Sequence, residues 1–192
     1  VIDEAVKLIK QYQSATASNI LALAYKRSGN YETARQIYEK LLIKNPKNAL
    51  FLGNLGNIYV DLGFLEKAEK CFVKCLEVDK QNYNVSVSLA NLLKSKSKFS
   101  EALRILKSLI EKQSYKTQAD LSDLNYRIAE LYRAKGSQYA KKAISHYKCS
   151  DNPLSDSHRL ELIYSTQDKD KFLQAEKEIV KKGVATPLLA SV

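Results

Sequence analysis

Methionine and tryptophan are absent from the 192-residue sequence, and glycine and proline are scarce, with 6 and 3 residues. This scarcity excludes collagen-like and low-complexity chains. A content of 45% hydrophobic and 27% charged residues is typical of a folded helical protein. No apolar run of roughly 18 residues occurs, so the sequence predicts no membrane span.

The sequence also lacks catalytic motifs. It contains no GxSxG, GxGxxG or HExxH pattern and no P-loop, and it has only 2 histidines to act as bases. Acidic pairs such as Asp120 and Asp123 lie at predicted helix starts, where the helix dipole and free backbone N–H groups favour carboxylates. We therefore expect no catalytic residue and no cofactor in this chain, and we expect it not to be an enzyme.

Cysteines are few and odd in number, which favours a reducing compartment and hence the cytoplasm. Cys71 and Cys75 are spaced as two packing positions of one predicted helix, and we expect both to be buried. Cys149, with His146 and His158 nearby in the sequence, lacks a fourth ligand and a CxxC pattern. We expect no metal site.

What the sequence does contain is a repeat. Ala34, Ala68 and Ala102 recur every 34 residues, each within a helix-like window that has matching small and aromatic neighbours. A repeat of this length with two helices is a unit too small to fold alone, so it stacks on its neighbours. The period therefore predicts an array of stacked helix pairs.

Three units match a known pattern of small, aromatic and turn residues. The first has Leu21, Ala22, Tyr25, Gly29, Tyr31, Ala34, Tyr38, Leu41 and Pro46; the second has Leu52, Leu55, Gly56, Tyr59, Gly63, Leu65, Ala68, Phe72 and Cys75; the third has Leu89, Ala90, Phe99, Ala102, Leu106 and Leu109. With these residues the chain resembles the tetratricopeptide repeat (TPR) family. The resemblance implies an all-α fold, a right-handed α-solenoid (superhelix) of stacked antiparallel helix pairs, used as a protein-binding scaffold.

The register divides the chain into one elongated array. Its expected parts are the second helix of an incomplete repeat at 1–14, TPR 1 at 15–48, TPR 2 at 49–82, TPR 3 at 83–116, a divergent TPR 4 at 117–152, a divergent hairpin at 153–183 and a tail at 184–192. In the hairpin, Leu160, Ile163 and Tyr164 are expected to face Phe172, Ile179 and Val180. The open first repeat, the missing methionine and the apolar tail lead us to expect a longer, bacterial-type multidomain protein.

In the TPR family the first helix of each repeat lines a concave groove. Carried onto this register, the groove residues are Asn19, Leu23, Lys26, Arg27, Asn54, Asn57, Asp61, Asn84, Ser88, Asn91, Lys94, Tyr126, Arg127, Glu130 and Arg133. Asparagine recurs among them, and an amide offers two donors and an acceptor for the backbone of an extended peptide. The alternative is that asparagine is simply tolerated on an exposed helix face.

Two more specific resemblances bear on the groove. The segment LGNLGNIYVDLG, which carries Asn54 and Asn57, is similar to the asparagine-bearing helices of O-linked GlcNAc transferase repeats. The two-carboxylate clamp that holds acidic chaperone tails in other TPR domains is not matched, because only Asn54 agrees on the first frame and only Asn57 on the next. The resemblance thus favours peptide binding and disfavours chaperone tails.

The net charge of +10 is uneven, since residues 91–150 carry 13 Lys and Arg against 5 Asp and Glu. A positive surface there attracts an acidic peptide or protein, and nucleic-acid binding is a remote alternative. The function expected first is a non-catalytic protein-interaction scaffold. The second is a recruitment or oligomerisation region of a larger oxygenase, sulfotransferase or glycosyltransferase, and the oligomeric state stays open.

Overall fold

The computed structural model describes Lys7 and residues 14–182, apart from the side chain of Lys169. The described part contains α1 (Ala15–Arg27), α2 (Tyr31–Lys44), α3 (Ala49–Asp61), α4 (Leu65–Val78), α5 (Tyr83–Ser95), α6 (Phe99–Glu111), α7 (Gln118–Lys135), a 3₁₀ turn (Ser137–Tyr139), α8 (Ala140–Lys148), α9 (Pro153–Ser165) and α10 (Lys169–Lys181). Apart from Lys7 and Ser14, the expected helix at 1–14 lies outside the described residues, as does the expected tail at 184–192.

Helix ends are set locally and repeat with the period of the sequence. Asn48 and Asn82 cap α3 and α5 by accepting hydrogen bonds from the backbone N–H groups of Phe51 and Val85. Gly29 and Gly63 turn the chain between paired helices with φ of 79° and 78°. Ser97 takes the equivalent third position with φ 57°, so a serine holds a left-handed backbone there.

The chain divides into two compact units, the first ending at Lys96 and the second beginning at Ser97. In the first unit α1 packs on α2 and α3 on α4, while α2 contacts α3 and α4 contacts α5. Ala22, Ala34 and Ala68 are fully buried at the helix contacts. At Gly56 an added Cβ would lie 2.5 Å from the ring of Phe72, so the close approach of α3 and α4 requires glycine.

The second unit contains α6 to α10, with α7 packed against α6 and α8, and α9 against α8 and α10. α7 is long, with 18 residues, and opens on a capping box in which Thr117 and Asp120 satisfy each other's backbone N–H groups. α8 is short, with 9 residues, and follows the 3₁₀ turn. The fourth helix pair is therefore lengthened on one side only.

The last helix pair has a small core of its own, formed by Leu160, Ile163, Ala175 and Ile179, with Phe172 packed against it. One member of the expected facing set, Val180, was wrong. Val180 is 51% exposed because it follows Ile179 and points away from the core side of α10. Tyr164 does contact Phe172 as expected, ring edge to ring face with centroids 5.8 Å apart, although its side chain is 69% exposed.

Architecture in the described residues is that of an all-α solenoid, built from consecutive antiparallel helix pairs. None of these described helices is long and apolar enough to cross a membrane.

Candidate functional site

Three side chains from three helices of the first unit form a hydrogen-bonded cluster. Tyr38 on α2 donates its hydroxyl proton to Asn19 Oδ1 on α1 at 2.8 Å. Asn54 on α3 donates from Nδ2 to the same hydroxyl oxygen at 2.9 Å and to Asn19 Oδ1 at 3.3 Å. We call Asn19, Tyr38 and Asn54 the amide cluster.

Tyr38 is the centre of the amide cluster because its ring is fully buried. Burial raises the pKa of Tyr38 to about 12, so the hydroxyl stays protonated and serves as donor and acceptor together. Both Asn54 donor bonds use Nδ2, and both bonds at Asn19 use Oδ1. The cluster therefore fixes both amide orientations, and Asn54 Oδ1 and Asn19 Nδ2 have no hydrogen-bond partner among the described residues.

Asn57 lies one turn beyond Asn54 on α3 and so shares its face. It is half-buried, and its amide makes no hydrogen bond within the described part of the chain. Leu50 and Val60, on the same face at helix spacing, are 56% and 39% exposed. The unbonded amide of Asn57 thus lies between two apolar side chains.

Charged residues at the ends of α1 and α3 are paired. Lys26 Nζ lies 3.3 Å from Asp61 Oδ2, with both side chains about one third exposed. Among the other α1 residues expected in the groove, Leu23 is half-buried and Arg27 is exposed. The ion pair neutralises Lys26 and Asp61, so this face of the first unit presents amides and apolar groups more than charge.

The residues expected on α5 keep helix spacing. Asn84 and Asn91 are exposed, and Ser88 and Lys94 are half-buried. They belong to the first unit together with the amide cluster.

The remaining expected groove residues lie on α7 in the second unit, where internal contacts occupy them. Glu130 accepts the hydroxyl proton of Tyr147, and its two oxygens each lie 3.1 Å from Arg133 nitrogens. Arg127 donates to Asp123 at 2.6 Å. The Glu130 carboxylate is therefore bound by side chains of its own unit.

Aromatic side chains also surround Glu130. Tyr126 stacks on His158, whose Nδ1 lies 3.1 Å from Glu130 Oε1 outside hydrogen-bond geometry. Burial, and then the bond to Glu130, raise the pKa of Tyr147. The α7 residues therefore stabilise the contact of α7 with α8 and α9.

Sequence reasoning missed Tyr38, Tyr147 and His158. The signal for Tyr38 was present: it shares its repeat position with Phe72 and Leu106, and it alone of these three needs a partner for a hydroxyl. His146 donates from Nδ1 to Asn125 Oδ1 at 2.9 Å, and Cys149 is exposed. The described residues contain no group of three or more side chains able to hold a metal ion.

The stacked helix pairs define a class of protein, the helical-repeat scaffold. Residues 25–74 match the family model described as tetratricopeptide repeat. This segment of the chain is thus similar to the tetratricopeptide repeat (TPR) family.

Solved structures with this fold cover most of the chain. YrrB, described as a TPR protein with an unusual peptide-binding site, is 18% identical with a TM-score of 0.73 and covers 93% of this chain and 92% of its own. MamA 41-end from Desulfovibrio magneticus RS-1 is 14% identical with a TM-score of 0.72, covering 87% of this chain and 93% of its own. Comparison with curated protein sequences finds no match.

Proposed function

We propose that this chain is a non-catalytic protein-interaction scaffold that binds an extended peptide segment on the α1–α3 face of its first unit. The observation that carries the proposal is a set of amide atoms that make no hydrogen bond to any described residue: both polar atoms of the Asn57 amide, Asn54 Oδ1 and Asn19 Nδ2. These atoms match the alternating N–H and C=O groups of an extended backbone. The peptide-binding site named for YrrB, which shares the fold, supports the same use.

The amide cluster makes this face a preorganised one. Orienting a free asparagine side chain on binding costs side-chain entropy, and here Tyr38 has already fixed two of the three amides. Leu50 and Val60 supply apolar contacts for the peptide side chains that alternate with its backbone bonds. The peptide is thus held mainly by its backbone, with weak selection for side chains beside the amides.

The experiment selects peptides from a displayed random library on the wild-type chain and measures their affinity by fluorescence anisotropy. Asn57→Ala removes the unbonded amide without touching the amide cluster, so we expect Kd to rise about tenfold, the effect of one or two lost hydrogen bonds. Gln174→Ala, which removes an exposed amide from the second unit, is the matched control and should leave Kd unchanged. Equal Kd values for wild type and Asn57→Ala would refute the proposal.

A second variant tests preorganisation. Tyr38→Phe removes only the hydroxyl, which frees Asn19 and Asn54 to rotate without removing either amide. We expect weaker binding with a less favourable binding entropy in isothermal titration calorimetry.

Cytoplasmic location remains a prediction from the three free cysteines.

A further inference from the structure

A second surface lies on the second unit and contains no residue of the amide cluster. Tyr132 on α7 stacks on Tyr139 of the 3₁₀ turn, with ring centroids 5.9 Å apart and an angle of 24°. His146 on α8 stacks on Tyr132 at 5.8 Å and 21°. Three parallel rings therefore join α7, the 3₁₀ turn and α8.

Three lysines from three helices converge on these rings. The Nζ atoms of Lys107 and Lys142 lie 5.4 and 5.8 Å from the centre of the Tyr132 ring. Lys135 Nζ lies 4.6 Å from the centre of the Tyr139 ring, and Lys142 reaches that ring too, at 5.8 Å. Cation–π attraction holds the ammonium groups in place. We call Lys107, Lys135 and Lys142 the lysine cluster.

The lysine cluster has no carboxylate partner among the described residues. Lys135 donates to the hydroxyl of Ser100, which carries no charge. Glu111 lies one turn beyond Lys107 on α6, yet the two form no ion pair in the structure. The field of Lys107 is felt within the stack: burial, and then the Lys107 charge, lower the pKa of His146. Three converging positive charges therefore have no carboxylate partner within the described residues.

We propose that the lysine cluster is a docking surface for an acidic segment of a partner protein, separate from the peptide-binding face of the first unit. Acidic residues of such a segment supply the missing negative charge, and the surrounding Lys and Arg excess of residues 91–150 steers it. A single-stranded nucleic acid fits less well. Such ligands need free aromatic faces for base stacking, whereas Tyr132 is only 5% exposed and the rings stack on each other beneath the lysines.

The test measures anisotropy of a fluorescein-labelled deca-glutamate peptide on the whole chain at low and at physiological salt. Lys107→Gln with Lys142→Gln should raise Kd about tenfold at low salt and reduce the salt dependence. The matched control, Lys40→Gln with Lys70→Gln, removes the same charge from exposed positions on α2 and α4 and should change Kd much less. An equal loss in both variants would mean that net charge alone attracts the peptide and would overturn the proposal.

Two further arms keep the result interpretable. Lys107→Arg with Lys142→Arg retains charge and cation–π contact, so it should bind deca-glutamate as wild type does, and a loss of binding there contradicts the docking surface. An oligouridylate of equal length should bind more weakly than deca-glutamate; tighter binding of the RNA would overturn the choice of an acidic protein segment. Asn57→Ala should bind deca-glutamate normally, so failure of the peptide-binding face and failure of this surface are distinguishable.

Discussion

Gly56→Ala offers the sharpest test of the packing between α3 and α4. The new methyl group would lie 2.5 and 2.6 Å from two ring carbons of Phe72, a side chain that is itself fully buried. Alanine gains about 1 kcal/mol over glycine in a helix interior. Overpacking a closed core costs about 1–3 kcal/mol. Because the Phe72 ring is fully buried, we expect the cost to exceed the gain, with a net loss of up to about 2 kcal/mol in the free energy of unfolding.

The assay is urea denaturation followed by far-ultraviolet circular dichroism. Gly53→Ala is the comparator: it makes the same change in the same helix but meets only one methyl carbon of Val85, at 2.8 Å, so the loss should be smaller. Phe72→Leu in the Gly56→Ala background should cost less than in the wild type, because the smaller side chain makes room for the methyl group. Additive effects, or a Gly56→Ala protein more stable than wild type, would refute the argument.

The other predictions concern a turn, the cysteines and the amide cluster. Ser97→Gly should raise the free energy of unfolding by about 1 kcal/mol, since φ of 57° is strained for serine; a lower melting temperature would contradict this. In native protein at about pH 8, iodoacetamide should label exposed Cys149 but not buried Cys75 or half-buried Cys71. Burial raises the pKa of Cys71 to about 11, so its thiol stays protonated and unreactive. Mass spectrometry of the labelled peptides counts the sites, and rapid labelling of half-buried Cys71 would contradict the protection expected from its raised pKa. Tyr38→Phe should lower the free energy of unfolding by about 1 kcal/mol, and an unchanged urea midpoint would mean that the hydroxyl bonds add nothing to stability.

The sequence by itself determined the helix pairs and their ends, because those depend on residues close together in the chain. Alanine at 34, 68 and 102 must be small wherever helices meet, and all three are fully buried. Glycine at 29 and 63 takes the left-handed backbone that ends a helix, and Asn48 caps the next one. Each of these needs only local geometry and the repeat period.

Only the tertiary structure decided which polar side chains bind one another within the described part of the protein. Asn19 and Asn54 are 35 residues apart in the sequence, yet both bind the hydroxyl of Tyr38, which lies on the helix between them. Because Tyr38 is buried, its hydroxyl needs these hydrogen-bond partners. The sequence predicts Glu130 as a groove residue, yet in the structure it is hydrogen-bonded to Tyr147 and Arg133. A periodic pattern gives the face of a helix, but hydrogen bonds and unpaired charges depend on distances between side chains far apart in the chain.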